Sequence, residues 1–149
     1  MIKRLATLDD VPKLIELRKK QLHDEELSSN TLDISTELTS YFSTSISNES
    51  FIAWVMVEND EIIATSGVCF YTLPPTFSNP SGKVAYITNM YTKPVFRNRG
   101  IASELLQEVI NEAKNNDCKV IRLHASEYGK SIYLKAGFTE SSGYMALRI

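Results

Sequence analysis

Metal and disulfide chemistry have little to work with in this 149-residue chain, which holds two cysteines and two histidines. Cys69 and Cys118 stand in unrelated contexts. There is no C-x-x-C and no Cys/His ligand spacing, so they read as two buried thiols rather than a disulfide or a nucleophile. Long apolar runs are missing as well; none reaches the ~20 residues needed to cross a bilayer. The start, Met1-Ile2-Lys3-Arg4, lacks an apolar signal region, which points to the cytoplasm. A basic excess is also absent. Sixteen Lys and Arg stand against 18 Asp and Glu, for a formal net charge of −2 and a pI near 5.7. A general nucleic-acid binder needs the opposite balance, although a local basic pocket is compatible with this one. No repeat, linker or low-complexity block is visible. What remains is 43% hydrophobic and 23% charged, the mixture of one globular domain over 1–149 with a sizeable core.

The informative stretch runs from Asn89 to Leu106. Residues 84–92 are rich in β-branched and aromatic types and end at Lys93-Pro94, which stops a strand. After Gly100, the residues Ile101, Leu105, Leu106, Val109, Ile110 and Ala113 recur at helical spacing. The join holds Arg97, Arg99 and Gly100. The first turn of a helix has backbone N–H groups without intrahelical partners and the positive end of the dipole, so a phosphate fits there. Gly100 puts no side chain between phosphate and backbone. Ala102 is nearly as small, Ser103 adds a hydroxyl, and Arg97, Arg99 and Lys93 add charge. Taken alone, the stretch is compatible with a phosphate site and with an ordinary strand-to-helix turn.

The rest of the chain reads in order. Ile2 to Leu5 is a short strand. Thr7-Leu8-Asp9-Asp10 is a capping box opening a helix whose apolar face includes Val11, Leu14, Ile15 and Leu22, with Pro12 in its first turn. His23-Asp24-Glu25-Glu26 is either a solvated helix end or an acidic rim for a cationic substrate. Asn30 to Asn48 is Ser/Thr-rich, and Leu38, Tyr41, Phe42 and Ile46 suggest a second helix within it. Phe51 to Val57 and Glu61 to Leu73 form strands joined by the hairpin signal Asn59-Asp60. Residues 74–82 form an irregular loop, with Phe77 as its contact residue or as a plug. Lys119 to Ala125 is a strand, Ser126 to Ala136 a helix, Gly137 its C′ residue, and Tyr144 to Ile149 a last strand. The pattern is an antiparallel first half followed by β-α-β, with a parallel pair between 84–92 and 119–125.

Two patches resemble one family. Arg97-Asn98-Arg99-Gly100-Ile101-Ala102 is similar to the Arg/Gln-x-x-Gly-x-Gly/Ala signature of the GNAT (Gcn5-related) N-acetyltransferases. Tyr133-Leu134-Lys135-Ala136-Gly137-Phe138 resembles that family's later Tyr-x-x-x-Gly-Phe motif. Leu123-His124-Ala125-Ser126, followed by Gly129, resembles bacterial members of unassigned substrate. The resemblance implies an α+β fold: a twisted, mostly antiparallel mixed sheet of six or seven strands with about four helices. It implies acetyl-CoA as cosubstrate. The main chain of Met90, Tyr91 and Thr92 would then pair with the pantetheine arm like an extra strand. The diphosphate would sit on the N–H groups of Arg99, Gly100, Ile101, Ala102 and Ser103, beside Arg97 and Asn98. Tyr133 would protonate the departing sulfur as a general acid. Ser126 falls near the cofactor where many members carry asparagine; it would contact the pantetheine arm or cap the helix bearing Tyr133. Lys130 would meet the adenosine end or stay solvated.

The implied reaction moves acetyl from acetyl-CoA to a primary amine by direct attack in a ternary complex. Many relatives carry a strand glutamate as base. Here the comparable Tyr86-Ile87-Thr88-Asn89 has no carboxylate, leaving Asn89 to orient a substrate and His124, Glu127 or water as proton acceptors. The acceptor is a small molecule or a peptide amine, and nucleic acid and membrane are not expected partners. Tyr41, Phe42 and Phe77 would line its pocket or a dimer interface; a homodimer is the family's common habit. An acyl-CoA-binding sensor with little catalysis is the alternative. A dinucleotide-binding domain lacks its G-x-G-x-x-G after the first strand.

Overall fold

The computed structural model describes residues 1–26, 32–141 and 143–149. Among them, five strands form one sheet in the order β1-β2-β3-β4-β5. They are β1 (Ile2–Leu5), β2 (Phe51–Glu58), β3 (Glu61–Thr72), β4 (Lys83–Thr92) and β5 (Val120–Leu123). The first four pair antiparallel, and β4 and β5 pair parallel. The helices are α1 (Val11–Glu26), α2 (Ser35–Ser47), α3 (Ile101–Asn115) and α4 (Lys130–Lys135). This is the expected α+β arrangement with fewer strands.

Local chemistry accounts for most boundaries. Thr7 and Asp10 close a capping box over a 3-10 turn that runs into α1, which places Pro12 in its first turn. Asn59 and Asp60 both adopt left-handed conformations (φ 49° and 62°), the pair a two-residue hairpin between β2 and β3 requires. The Ser/Thr-rich segment does contain α2, although Asn30 and Thr31 lie outside the described residues.

The sheet is covered on both faces. Val11, Leu14 and Leu17 of α1 and Phe42 of α2 pack on Phe51, Ala53 and Val55 of β2 and on Tyr91. On the other face Leu106, Val109 and Ala113 of α3 meet Val68, Ala85 and Ile87, while Ile101 and Leu105 meet Met56, Ile63 and Ala64. Phe42 is therefore core, 1% exposed, and unavailable to a pocket or an interface.

Three expectations need correction. β5 is shorter than 119–125. The helix expected over Ser126–Ala136 is cut to α4, because Ser126 to Gly129 form a turn closed by bonds from the Gly129 and Lys130 N–H groups to the Ser126 carbonyl. Tyr144 to Ile149 pairs with no strand among the described residues, and Tyr144, Met145, Leu147 and Ile149 are exposed. A strand needs a ladder partner, and sequence alternation alone does not supply one.

Candidate functional site

The site begins with a bulge. Thr65 stands opposite Tyr91 and Gly67 opposite Thr88, so the single residue Ser66 faces two, Asn89 and Met90. Asn89 takes up the extra length in a left-handed conformation (φ 56°), which asparagine tolerates better than most residues. It is 3% exposed. Its Nδ2, Ser66 Oγ and Thr65 Oγ1 are buried without hydrogen-bond partners among the described residues. A bulge bends its strand. Pairing of β4 with β5 runs from Val84↔Val120 to Ile87↔Leu123. Among the described residues no strand flanks 88–92 on that side, which leaves an open main-chain edge at Met90, Tyr91 and Thr92. The Thr92 carbonyl is taken by the Arg97 Nε–H at 2.9 Å.

The chain next turns sharply. Asn98 (φ 62°) and Gly100 (φ 80°) are both left-handed and flank Arg99. Gly100 is the N-cap residue of α3, and no side chain caps that helix. The N–H groups of Ile101, Ala102 and Ser103 thus have no intrahelical acceptor. A Cβ built on Gly100 meets nothing within 4 Å, so the space above this turn is open.

The arginines are held by the protein. Arg97 also donates from Nη2 to Asp24 Oδ2 at 3.1 Å, and its guanidinium lies over the rings of Tyr91 and Tyr128. Arg99 donates to the Val95 carbonyl at 3.1 Å and covers Phe96. Lys93 pairs with Glu61, so its charge belongs to the β3 side. Lys130 pairs with Glu140.

Tyr133 sits on the inner face of α4, nearly buried and edge-on to Phe138 at 6.0 Å. Gly129 makes room for it. A Cβ there would lie 3.3 Å from Ser126 Oγ, 3.4 Å from the Tyr133 ring and 4.0 Å from the Tyr133 hydroxyl. Ser126 and Tyr133 are thereby brought to one spot. Ser126 Oγ accepts the Gly129 N–H at 3.2 Å within the turn that precedes α4; the N-cap of α4 is Gly129, with no side-chain cap, so Ser126 does not cap the helix. Burial pushes the Tyr133 phenol up to about 12, and the charge of Glu25 and the phenol of Tyr86 act in the same direction. The phenol keeps its proton at neutral pH and is a donor.

α1 and α2 hold polar residues that the motifs did not mark. Arg18 Nη1 donates to Gln21 Oε1 at 3.1 Å, and Gln21 Nε2 donates to Glu25 Oε1 at 2.9 Å. Tyr41 packs edge-on against Phe42 and Phe51. Its phenol is pushed up to about 12, first by burial and then by Cys69. Burial likewise raises the thiols of Cys69 and Cys118, both free, which disfavours the thiolate a nucleophile needs. His124 and Glu127 are exposed beyond the end of β5, and Phe77 is fully exposed at its loop tip. Asn89 forms the bulge and does not face solvent. Two signals were present in the sequence: an asparagine inside a strand, and Arg18, Gln21 and Glu25 at spacings of three and four on one helix face.

The parallel pairing of β4 with β5 thus ends beside a helix N-terminus that no side chain caps. Residues 15–138 match the model of the acetyltransferase (GNAT) family, and the chain belongs to that family. It resembles a predicted acetyltransferase from Clostridium acetobutylicum solved with acetyl-CoA. The two are 39% identical with a TM-score of 0.95, over 99% of this chain and 95% of that one. A GCN5-related N-acetyltransferase from Ralstonia eutropha shares the fold at TM-score 0.87 and 24% identity, over 99% and 97% of the two chains. The thialysine N-epsilon-acetyltransferase of Mus musculus is 28% identical over 78 residues, 48% of this chain and 46% of that protein. The match thus spans about half the length of this curated relative. Among the described residues no helix is long and apolar enough to cross a membrane.

Proposed function

We propose that the protein transfers acetyl from acetyl-CoA to a primary amine by direct attack in a ternary complex, in the cytoplasm. The observation that carries this reading is the open β4 edge at residues 88–92 leading into the uncapped start of α3. The residues present fit acetyl-CoA. The main chain of Met90, Tyr91 and Thr92 offers an edge to the pantetheine amides, with Ser126 across the gap. The N–H groups from Arg99 to Ser103, with Arg97 and Asn98 beside them, suit a diphosphate, and the open space over Gly100 admits it. The Clostridium relative, solved with acetyl-CoA, supports the same ligand.

Acetyl-CoA supplies an activated thioester, so that a C–N bond forms as a C–S bond breaks. The chain's task is to place the amine and stabilise the departing sulfur. Tyr133 is the donor for that sulfur, because a phenol carries its proton at neutral pH and its burial beside Ser126 keeps it there, although the same burial makes it a weaker acid. A free alkylamine holds its extra proton up to pH ~10.4, leaving about one molecule in 10³ neutral at pH 7. The β4 stretch Tyr86 to Asn89 carries no carboxylate, so this proton leaves through solvent. Neither thiol is set up as a nucleophile, which favours direct attack over a covalent enzyme intermediate. The mammalian relatives, named for thialysine, make a short aliphatic amine the first acceptor to try.

The test is calorimetric titration with acetyl-CoA, followed by release of the coenzyme A thiol over a panel of amines. Binding with turnover supports the reading. Binding without turnover on any amine identifies an acyl-CoA sensor, which the missing strand carboxylate favours. No binding by the folded protein refutes both.

A further inference from the structure

The sheet ends on an unguarded edge. β5 is its last strand, paired with β4 on one side and, among the described residues, with nothing on the other. A strand so placed presents a row of unpaired N–H and C=O groups, which proteins usually blunt with charge, proline or a covering loop. Val120, Ile121 and Leu123 make β5 mostly apolar, and all four of its residues are only half-buried. A parallel strand is normally covered on both faces. The outer margin of this sheet is therefore unfinished in a single chain.

The same chain carries the complementary piece. Beyond α4, residues 143–149 join no ladder among the described residues. In an extended chain Met145, Leu147 and Ile149 share one face, and Tyr144, Ala146 and Arg148 the other. Met145 is 97% exposed, Leu147 87%, and Ile149 wholly so. Single exposed apolar residues are ordinary, whereas a contiguous set marks an interaction site. The root of this segment is fixed. Phe138 packs edge-on against Tyr133 of α4, Glu140 pairs with Lys130, and the Arg122 guanidinium on β5 lies 5.4 Å from the centre of the Tyr144 ring. The segment thus starts beside its own β5, and the residues beyond Tyr144 leave that edge unpaired.

One chain holds a strand without an edge and an edge without a strand. A two-fold pairing of identical chains satisfies both at once and closes on itself. Tyr144, Met145, Leu147 and Ile149 each remove on the order of 100 Å² from water when buried. Reciprocal exchange covers two tails and two receiving edges, on the order of 1,600 Å² in all, the size of a stable interface. We propose that the protein dimerises by exchanging this segment: residues 144–149 of one copy pair with the outer edge of β5 in a second copy, which returns the same contact. Met145, Leu147 and Ile149 then cover the half-buried margin of the sheet. Because Phe138 joins the segment to Tyr133, the exchange also braces α4. The proposal does not depend on the acetyltransferase reading.

The experiment measures the mass of the full chain by light scattering over a dilution series and follows amide hydrogen exchange in the same samples. Wild type should be a dimer at ~10 μM. In it the amides of residues 144–149 and the outward amides of 120–123 should be protected together. Leu147→Asp and Met145→Asp each place a charge on the face to be buried, twice per dimer, and should weaken association about a hundredfold or more. Both sets of amides should then exchange freely. These side chains are exposed in the single chain, so the variants fold, which circular dichroism verifies. Phe77→Asp, at an equally exposed apolar residue on the loop between β3 and β4, should leave the dimer intact. A monomer throughout the series overturns the proposal; protected tail amides in that monomer mean that the segment closes over its own β5. A dimer that keeps wild-type affinity in both tail variants, or is lost equally in Phe77→Asp, also overturns it, because another surface then joins the copies.

Discussion

Gly100→Asp separates the diphosphate turn from an ordinary connection. Gly100 has φ 80° and ψ −4°; a left-handed backbone costs most residues about 1–2 kcal/mol, and aspartate and asparagine, which tolerate it better, less than that. In a domain of this size that lowers Tm by about 2–4 °C per kcal/mol. No neighbour resists the side chain, because a Cβ there meets nothing within 4 Å. The folded variant therefore survives, and it sets a carboxylate next to the free N–H groups of Ile101 to Ser103. A carboxylate and a phosphate ~4 Å apart repel by ~4 kcal/mol at an effective dielectric of 20. Solvent exposure of this turn reduces that figure, and we expect about a hundredfold loss of acetyl-CoA affinity, ~2.7 kcal/mol. The assay is calorimetry on wild type, Gly100→Asp and Gly100→Asn, each with its Tm. Asparagine carries the same backbone strain without the charge, so its loss should be smaller. The aspartate penalty should shrink in high salt. A folded Gly100→Asp that binds acetyl-CoA within threefold of wild type would refute a diphosphate on this turn.

Tyr133→Phe keeps the ring against Phe138 and removes only the hydroxyl. It should lower kcat by about a hundredfold at unchanged acetyl-CoA affinity, and an unchanged single-turnover rate would remove Tyr133 from the chemistry. Asn89→Gly preserves the left-handed bulge, whereas Asn89→Val opposes it at a cost of about 1–2 kcal/mol. The valine variant should lose both Tm and acetyl-CoA affinity; equal behaviour of the two would mean the bulge does not depend on this conformation. Glu16 is held at about 2, below its usual 4.5, first by Lys13 and then by Lys20. Its folded value lies below its unfolded one, so its contribution is complete above pH 4.5 and is lost as pH falls toward 2. Glu16→Gln should therefore have a lower Tm than wild type at pH 6 and the same Tm at pH 2, and a constant gap would contradict the pairing.

The parts of this protein legible in its sequence are those decided by short-range physics. The capping box at Thr7, the Asn59-Asp60 hairpin, the apolar face of α3 and the glycine before it each depend on residues a few positions apart, and the structure reproduces them. The two motifs, read together, carried the family. The tertiary structure decided what depends on distant partners. Asn89 becomes a bulge only because Ser66 on β3 lies opposite it and Met90, and pairing of β4 with β5 stops at Ile87↔Leu123, just before it. The alternation in Tyr144 to Ile149 makes no strand, since a ladder needs an edge to pair with and the sequence does not say whether one is available. Ser126 and Gly129 turn the chain where periodicity alone suggested helix.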